Sequence, residues 1–337
     1  MADKKYNVVD LFCGCGGLSK GFEEAGYNIL VGVDFEQSAL NTFSYNHNGA
    51  VGLRLDLSEP ESFDAIVDAV DGRLVDIIIG GPPCQGFSLT GPRNIDDQRN
   101  KLYLAMIETV RRYKPKAFLI ENVPGMANLY GGAVKEEIIR RFTQMGYKVS
   151  CKIVCAAVSY EFPVPYRLPD NYLTCEDAIS DLPALVDTLG EEVGKYEMEP
   201  LNDFQKLMRG ACTTLYNHTA INHKQFVKDV IALVPDGGNY KDLPSGVGES
   251  RTFHMAWTRL NSKKPARTVD TGHRNLFHYK YNRCPTVRES ARIQTFPDDF
   301  VFLGNRGQQN KQVGNAVPVL MAKALATKLL DYMPYET

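Results

Sequence analysis

Short apolar runs alternate with amphipathic stretches along the first half of the chain. Tyr6 to Phe12, Ile29 to Val33, Val51 to Leu55, Val75 to Ile79, Ala117 to Ile120 and Tyr147 to Val154 have the length and composition of buried strands. The stretches between them, 17–26, 36–46, 60–70, 100–113 and 132–145, carry apolar residues at helical spacing. Strand and helix in strict alternation predict an α/β fold whose parallel sheet is covered on both faces. The sheet is expected to be doubly wound and Rossmann-like, with its ligand at the carboxyl ends of the strands.

Near residue 160 the pattern changes. Phe162-Pro163-Val164-Pro165 interrupts regular structure, and Thr174-Cys175-Glu176-Asp177 has the spacing of a capped helix start. Acidic residues dominate through Glu199, and a stretch rich in turns follows, with Pro235-Asp236-Gly237-Gly238 and Pro244-Ser245-Gly246. Residues 166–284 read as a second, smaller domain of irregular and β structure. Helical periodicity returns at 288–293 and 317–330, so the first domain is expected to comprise 1–165 and 285–337.

Composition narrows the function classes. With 337 residues, 44% of them hydrophobic, the chain can bury a large core. It lacks an apolar run of about eighteen residues and opens on Met1-Ala2-Asp3-Lys4-Lys5-Tyr6, so a non-membrane, cytoplasmic protein is expected. The eight cysteines form no Cys-x-x-Cys pair, which gives no indication of a zinc site or a disulfide framework. The net charge of -2 is unevenly spread: residues 201 to 284 hold 13 Lys+Arg against 6 Asp+Glu, and five of the six histidines. A basic module joined to an acidic one suggests a polyanion-binding face, although a lysine-rich solvated loop region would look the same.

Two segments carry the candidate chemistry. Gly80-Gly81-Pro82-Pro83-Cys84-Gln85-Gly86-Phe87-Ser88 follows a buried strand directly, delivering a cysteine on a stiff, side-chain-poor loop that another molecule can approach. Asp10-Leu11-Phe12-Cys13-Gly14-Cys15-Gly16-Gly17 ends the first strand and opens the first helix, the place where a nucleotide-like ligand lies against backbone. The second strand ends in Asp34-Phe35, where a carboxylate can take ribose hydroxyls and a ring can stack on adenine. No Lys-Ser/Thr follows the glycines and no arginine clamp for a pyrophosphate is evident, so a phosphate-free adenosyl cofactor fits better than NAD or ATP.

These segments occur in order with Glu121-Asn122-Val123, Arg288-Glu289-Ser290-Ala291-Arg292 with Phe296-Pro297, and Gln312-Val313-Gly314-Asn315-Ala316-Val317. Over most of 1–157 and 285–320 the chain thereby resembles the DNA cytosine-5 methyltransferases of bacterial restriction-modification systems. The resemblance implies that S-adenosylmethionine lies over Phe12, Gly14, Gly16 and Gly17, leaving as S-adenosylhomocysteine. Asp34 would hold the ribose and Phe35 pack on adenine; Asp56, beside Leu57, would reach the adenine amino group, and Asn315 and Ala316 the methionine end. No metal is expected.

Carbon 5 of cytosine is a poor nucleophile until a thiolate adds at carbon 6, a task that suits Cys84 behind Pro83. Glu121, at a strand end, is the candidate acid for the charge that develops on the ring. Inside a duplex carbon 6 is stacked, so the base must be swung out. Gly86 to Arg99 resembles the family's mobile active-site loop, with Gln85, Ser88, Arg93 and Arg99 as candidate DNA contacts. Arg251 and Arg274 in the basic stretch are candidates for base-edge contacts.

One departure stands out. After Cys155-Ala156-Ala157 the family continues through Asp-Tyr-Gly-Val-Pro to Gln-x-Arg-x-Arg and a further strand, whereas this chain passes straight to Val158-Ser159-Tyr160-Glu161. Three readings follow: a duplex-DNA methyltransferase, a tRNA cytosine-5 methyltransferase, and an impaired relative that binds cofactor and DNA. The first is preferred, as a monomer serving beside a cognate restriction endonuclease without contacting it.

Overall fold

The computed structural model describes residues 5–82, 101–122, 132–151, 155–157, 161–164, 171–249, 256–272 and 274–333, and the backbone alone at 101, 151 and 155–157. The chain divides into two compact units, Met1–Pro163 with Val319–Thr337, and Val164–Pro318.

The first unit is built on a seven-stranded sheet. β1 (Asn7–Leu11), β2 (Asn28–Asp34), β3 (Val51–Arg54), β4 (Ile77–Gly80) and β5 (Ala117–Ile120) run parallel. β6 (Val149–Cys151) and β7 (Cys155–Ala157) complete the order β3-β2-β1-β4-β5-β7-β6. Between strands come α1 (Gly17–Glu24), α2 (Gln37–Asn46), α3 (Ser62–Val70), α4 (Lys101–Tyr113) and α5 (Ala133–Gln144). All four residues of β4 and of β5 are buried, as expected for strands covered on both faces.

Strand order reverses between β1 and β4, since β2 and β3 lie to one side and β5 to the other. Ligands of doubly wound sheets bind where the order reverses. The glycine-rich segment leaves β1 and the Gly81-Pro82 segment leaves β4, so both candidate segments emerge at that point.

The strand expected over Tyr147 to Val154 is present as β6, and a further strand, β7, follows just beyond it. Val149–Cys151 and Cys155–Ala157 pair antiparallel, and the latter pairs antiparallel with β5 through Leu119 opposite Ala156 and Ile120 opposite Cys155. The open edge of β5 needs a hydrogen-bonding partner. β7, just past the expected strand, supplies it, and the sheet reaches seven strands.

The second unit contains α6 (Cys175–Ile179), β8 (Val193–Lys195), α7 (Asp203–Arg209), β9 (Thr214–Tyr216), α8 (Gln225–Leu233), β10 (Thr258–Arg259), β11 (Leu276–Phe277), α9 (Val287–Ile293) and α10 (Arg306–Asn315). Thr174 caps α6 through a capping box with Asp177. α7 and α8 were not apparent in the turn-rich sequence.

Residues 285–318 pack within this unit because α9 is tied to it by buried charge. Arg292 reaches Asp181 at 3.0 Å and Asp298 at 2.6 Å, while Arg209 also reaches Asp181 at 2.7 Å. Arg283 holds Glu289 by two bonds of 2.7 Å. Arg288 donates to the carbonyls of Tyr216 and Phe300.

α11 (Val319–Leu330) follows Ala316-Val317-Pro318 and returns to the first unit, packing on α1. There Tyr27 donates to the Ala326 carbonyl at 2.9 Å. The stretch 306–330 is long and apolar enough by composition to cross a membrane. It is two helices with a break between them, and the second buries Val319, Ala322, Leu325, Ala326 and Leu329.

Candidate active site

β1 ends at Leu11 and the backbone turns sharply at Phe12, whose φ of 61° is a left-handed value that costs a non-glycine residue energy. That turn directs Cys13-Gly14-Cys15-Gly16 across the strand end into α1. Gly14 also has positive φ, and a Cβ built on it would meet nothing within 4 Å, so its face is open to a ligand. Gly16 differs: a Cβ there would stand 2.1 Å from His47 Nε2, so its missing side chain makes room for protein. Cys13 and Cys15 are buried, and burial pushes the Cys15 thiol up to about 12, which makes it unreactive.

The Asp34 carboxylate braces the loop from β2. Its Oδ2 accepts the Gly14 N–H at 2.8 Å and its Oδ1 the Glu36 N–H at 2.9 Å, and each oxygen keeps a second acceptor position. Burial raises its pKa against those hydrogen bonds. The neighbouring Phe35 ring is 60% exposed, an unusual state for a phenylalanine. Arg54 donates from Nε to the Phe35 carbonyl at 3.2 Å and lies 5.7 Å from its ring centroid. Asp56 is exposed and caps a turn by accepting the Ser58 N–H, whereas Leu57 is buried in the core.

Sequence reasoning did not single out Asp10 as a site residue. It is 1% exposed at the end of β1; Ser19 donates to its Oδ2 at 2.6 Å, and its Oδ1 has no hydrogen-bond partner. Burial pushes this carboxyl up to about 7. Only the fold reveals that the acid is sealed in. An orphan carboxyl oxygen, an open backbone face over Gly14, an exposed aromatic ring and a braced carboxylate together fit an adenosyl ligand carrying positive charge.

At the end of β4, Gly80 and Gly81 lead into Pro82. Glu121 and Asn122, just past β5, hold this segment: the Glu121 N–H donates to the Gly80 carbonyl at 2.9 Å and Asn122 Nδ2 to the Pro82 carbonyl at 3.0 Å. Glu121 Oε2 lies 3.3 Å from where a Cβ on Gly81 would be. Burial raises the Glu121 carboxyl, which favours its protonated, donor form. Pro83, Cys84, Gln85, Ser88, Arg93, Arg99 and Arg251 lie outside the described residues.

In the second unit, Asn315 ends α10 and is exposed, with half-buried Ala316 next to it. Gln294 caps that helix end, its Nε2 donating to the carbonyls of Val313 and Ala316 at 3.2 Å each. Arg274 is exposed with φ of 59°, on a turn braced by Asp270, which accepts the N–H groups of Gly272 and Asn275.

The basic stretch is less available than its composition suggests. Arg209, Arg259 and Arg283 are at most 9% exposed. His218 and His278 are buried too, and desolvation lowers both, His278 to about 4.

The fold and the β1 and β4 loops define a doubly wound adenosyl-type binding protein with a candidate acid beside its second loop. Residues 6–165 and 168–331 match the family model described as C-5 cytosine-specific DNA methylase. The type II methyltransferase M1.HphI of Haemophilus parahaemolyticus is 37% identical, over 96% of this chain and 86% of its own. M.DdeI of Desulfomicrobium norvegicum is 34% identical over 97% and 89%. A solved structure described as a prophage-encoded DNA modification methyltransferase from E. coli has a TM-score of 0.78 and 25% identity, covering 97% of this chain and 99% of that one. The chain belongs to the C-5 cytosine-specific DNA methylase family, and it methylates cytosine in DNA with S-adenosylmethionine as the methyl source.

Proposed function

We propose that the chain acts on a cytosine swung out of a specific duplex sequence, through a covalent bond to Cys84. The observation that carries this reading is the grip of Glu121 and Asn122 on Gly80–Pro82. It sets a half-buried acid, its pKa raised by desolvation, beside the segment that runs directly into Pro83-Cys84.

The Cys84 thiolate adds to carbon 6, forming the S–C6 bond and sending the ring electron pair toward carbon 5 and the ring nitrogen. Glu121, protonated, donates to the nitrogen on which charge gathers. S-adenosylmethionine, when bound, supplies an electrophilic methyl group on a sulfonium. Carbon 5 bonds that methyl group; water then takes the carbon-5 proton, and the C–H electron pair re-forms the C5–C6 double bond as the S–C6 bond breaks and restores the thiolate. Phe12, Gly14, Gly16 and Gly17 form the cradle, Asp34 and Phe35 hold the ribose and adenine, and Asp56 and Leu57 border the adenine edge. Asn315 and Ala316 serve the methionine end.

Gln85, Ser88, Arg93 and Arg99 close on the DNA, and Arg251 and Arg274 read the target. The protein works as a monomer in the cytoplasm, where its DNA is, independently of any endonuclease.

Labelled methyl transfer to duplex DNA and to tRNA is the test. Incorporation into DNA alone is expected, and Cys84→Ser is expected to abolish it while leaving cofactor affinity within about twofold. A duplex carrying 5-fluorocytosine is expected to become covalently attached. Turnover in Cys84→Ser, or no adduct from an active preparation, overturns the covalent route, and methylation of tRNA alone overturns the substrate.

A further inference from the structure

His47, one residue past α2, is 1% exposed, and its imidazole fills the place that a side chain at Gly16 would take. Its Nδ1 lies 2.9 Å from Glu23 Oε2, on the helix that Gly16 caps. Its ring centroid is 4.5 Å from that of Phe43. Phe43 in turn occupies the space over Gly32 of β2, where a Cβ would stand 2.3 Å from its Cζ. The two rings thus form a column from the sheet to the glycine loop, and the glycine at each end admits it. Close-packed interiors transmit such spacing with little give.

We propose that His47, oriented by Glu23, is a positioning residue for methyl transfer: the ring sets how the Gly14–Gly17 loop sits on the sheet, and thereby the affinity for the adenosyl cofactor. This rests on reading that loop as the cofactor cradle. A loop that sits off its place weakens its backbone contacts to the ligand, and losing about one such hydrogen bond is worth up to about tenfold in affinity.

The experiment measures binding of S-adenosylmethionine and S-adenosylhomocysteine by calorimetry, with steady-state kinetics, on the full chain and on His47→Leu, His47→Gln and Glu23→Gln. His47→Leu keeps bulk but loses the pairing. It is expected to weaken cofactor binding and raise the cofactor KM by about tenfold, with kcat at saturating cofactor within about twofold. His47→Gln, whose side-chain amide can reach Glu23, is expected to recover most of the loss. A folded His47→Leu with wild-type affinity, or one whose kcat falls at unchanged KM, overturns the proposal. Should His47→Leu fail to fold, Glu23→Gln decides, because Glu23 is partly exposed: about threefold weaker binding supports the proposal and wild-type affinity overturns it. If the wild-type chain binds neither compound, the cradle reading falls and the inference with it. Wild-type binding with unchanged variants removes only the role of His47.

Discussion

A carboxyl group sealed beneath the glycine loop makes stability depend on pH. Burial pushes the Asp10 carboxyl up to about 7 in the folded chain from an ordinary value of about 4, so between those values the folded state holds the proton more tightly. Its contribution is fully present below about pH 4 and is lost as pH rises to about 7, with no further change above. Asp10→Asn cannot ionise. Urea denaturation of the cofactor-free chain at pH 5 and pH 8 is therefore expected to show a smaller drop for Asp10→Asn than for the wild type, by a few kcal/mol at most. An equal drop in both would mean that Asp10 titrates normally. At this scale the sequence was legible where position follows chain order: Asp34 is the last residue of β2 with Phe35 next, and Glu121 directly follows β5. It was silent on Asp10 burial and on the meeting of His47 with Gly16, because residues 31 positions apart meet only once α1 and α2 have docked.

Elements follow the same division. The five strands β1 to β5 and the five helices between and after them were readable, because apolar runs of four to seven residues and amphipathic stretches of eight to thirteen show in the local sequence. β6 lies inside the strand expected over 147–154, whereas β7 was not readable, since the pairing of Cys155 and Ala156 with β5 is a long-range choice that no local period records. α9 shows how far an element can depart from an apolar pattern. Val287–Ile293 buries Arg288, Glu289 and Arg292, and each charge is met by carbonyls or an opposite charge from elsewhere in its unit. Removing one partner leaves the others buried and unmatched. Arg292→Leu leaves Asp181 to Arg209 alone and Asp298 to the Tyr196 hydroxyl and the more distant Arg288, and is expected to cost about 3 kcal/mol, read as a lower urea midpoint at unchanged slope. A loss under about 1 kcal/mol would mean that water or another cation reaches those carboxylates.

For the molecule as a whole, the distribution of charge bears on how it meets DNA. Composition put 13 cations in residues 201 to 284, but Arg209, Arg259 and Arg283 are committed to the interior, so at most ten are left to face phosphates. Lys206 and Lys263 among these already pair with Asp203 and Glu176 at the surface, contacts that water screens and DNA can displace. Each neutralised phosphate adds about -0.9 to the slope of log affinity against log salt, so this stretch supports a slope no steeper than about -9. Fluorescence anisotropy of the S-adenosylhomocysteine-loaded chain on a cognate duplex, taken between 50 and 300 mM salt, is expected to give a negative slope inside that bound. A steeper slope would require cations outside 201–284, with Arg93 and Arg99 first among them. A slope near zero would mean that this basic stretch takes no phosphate at all.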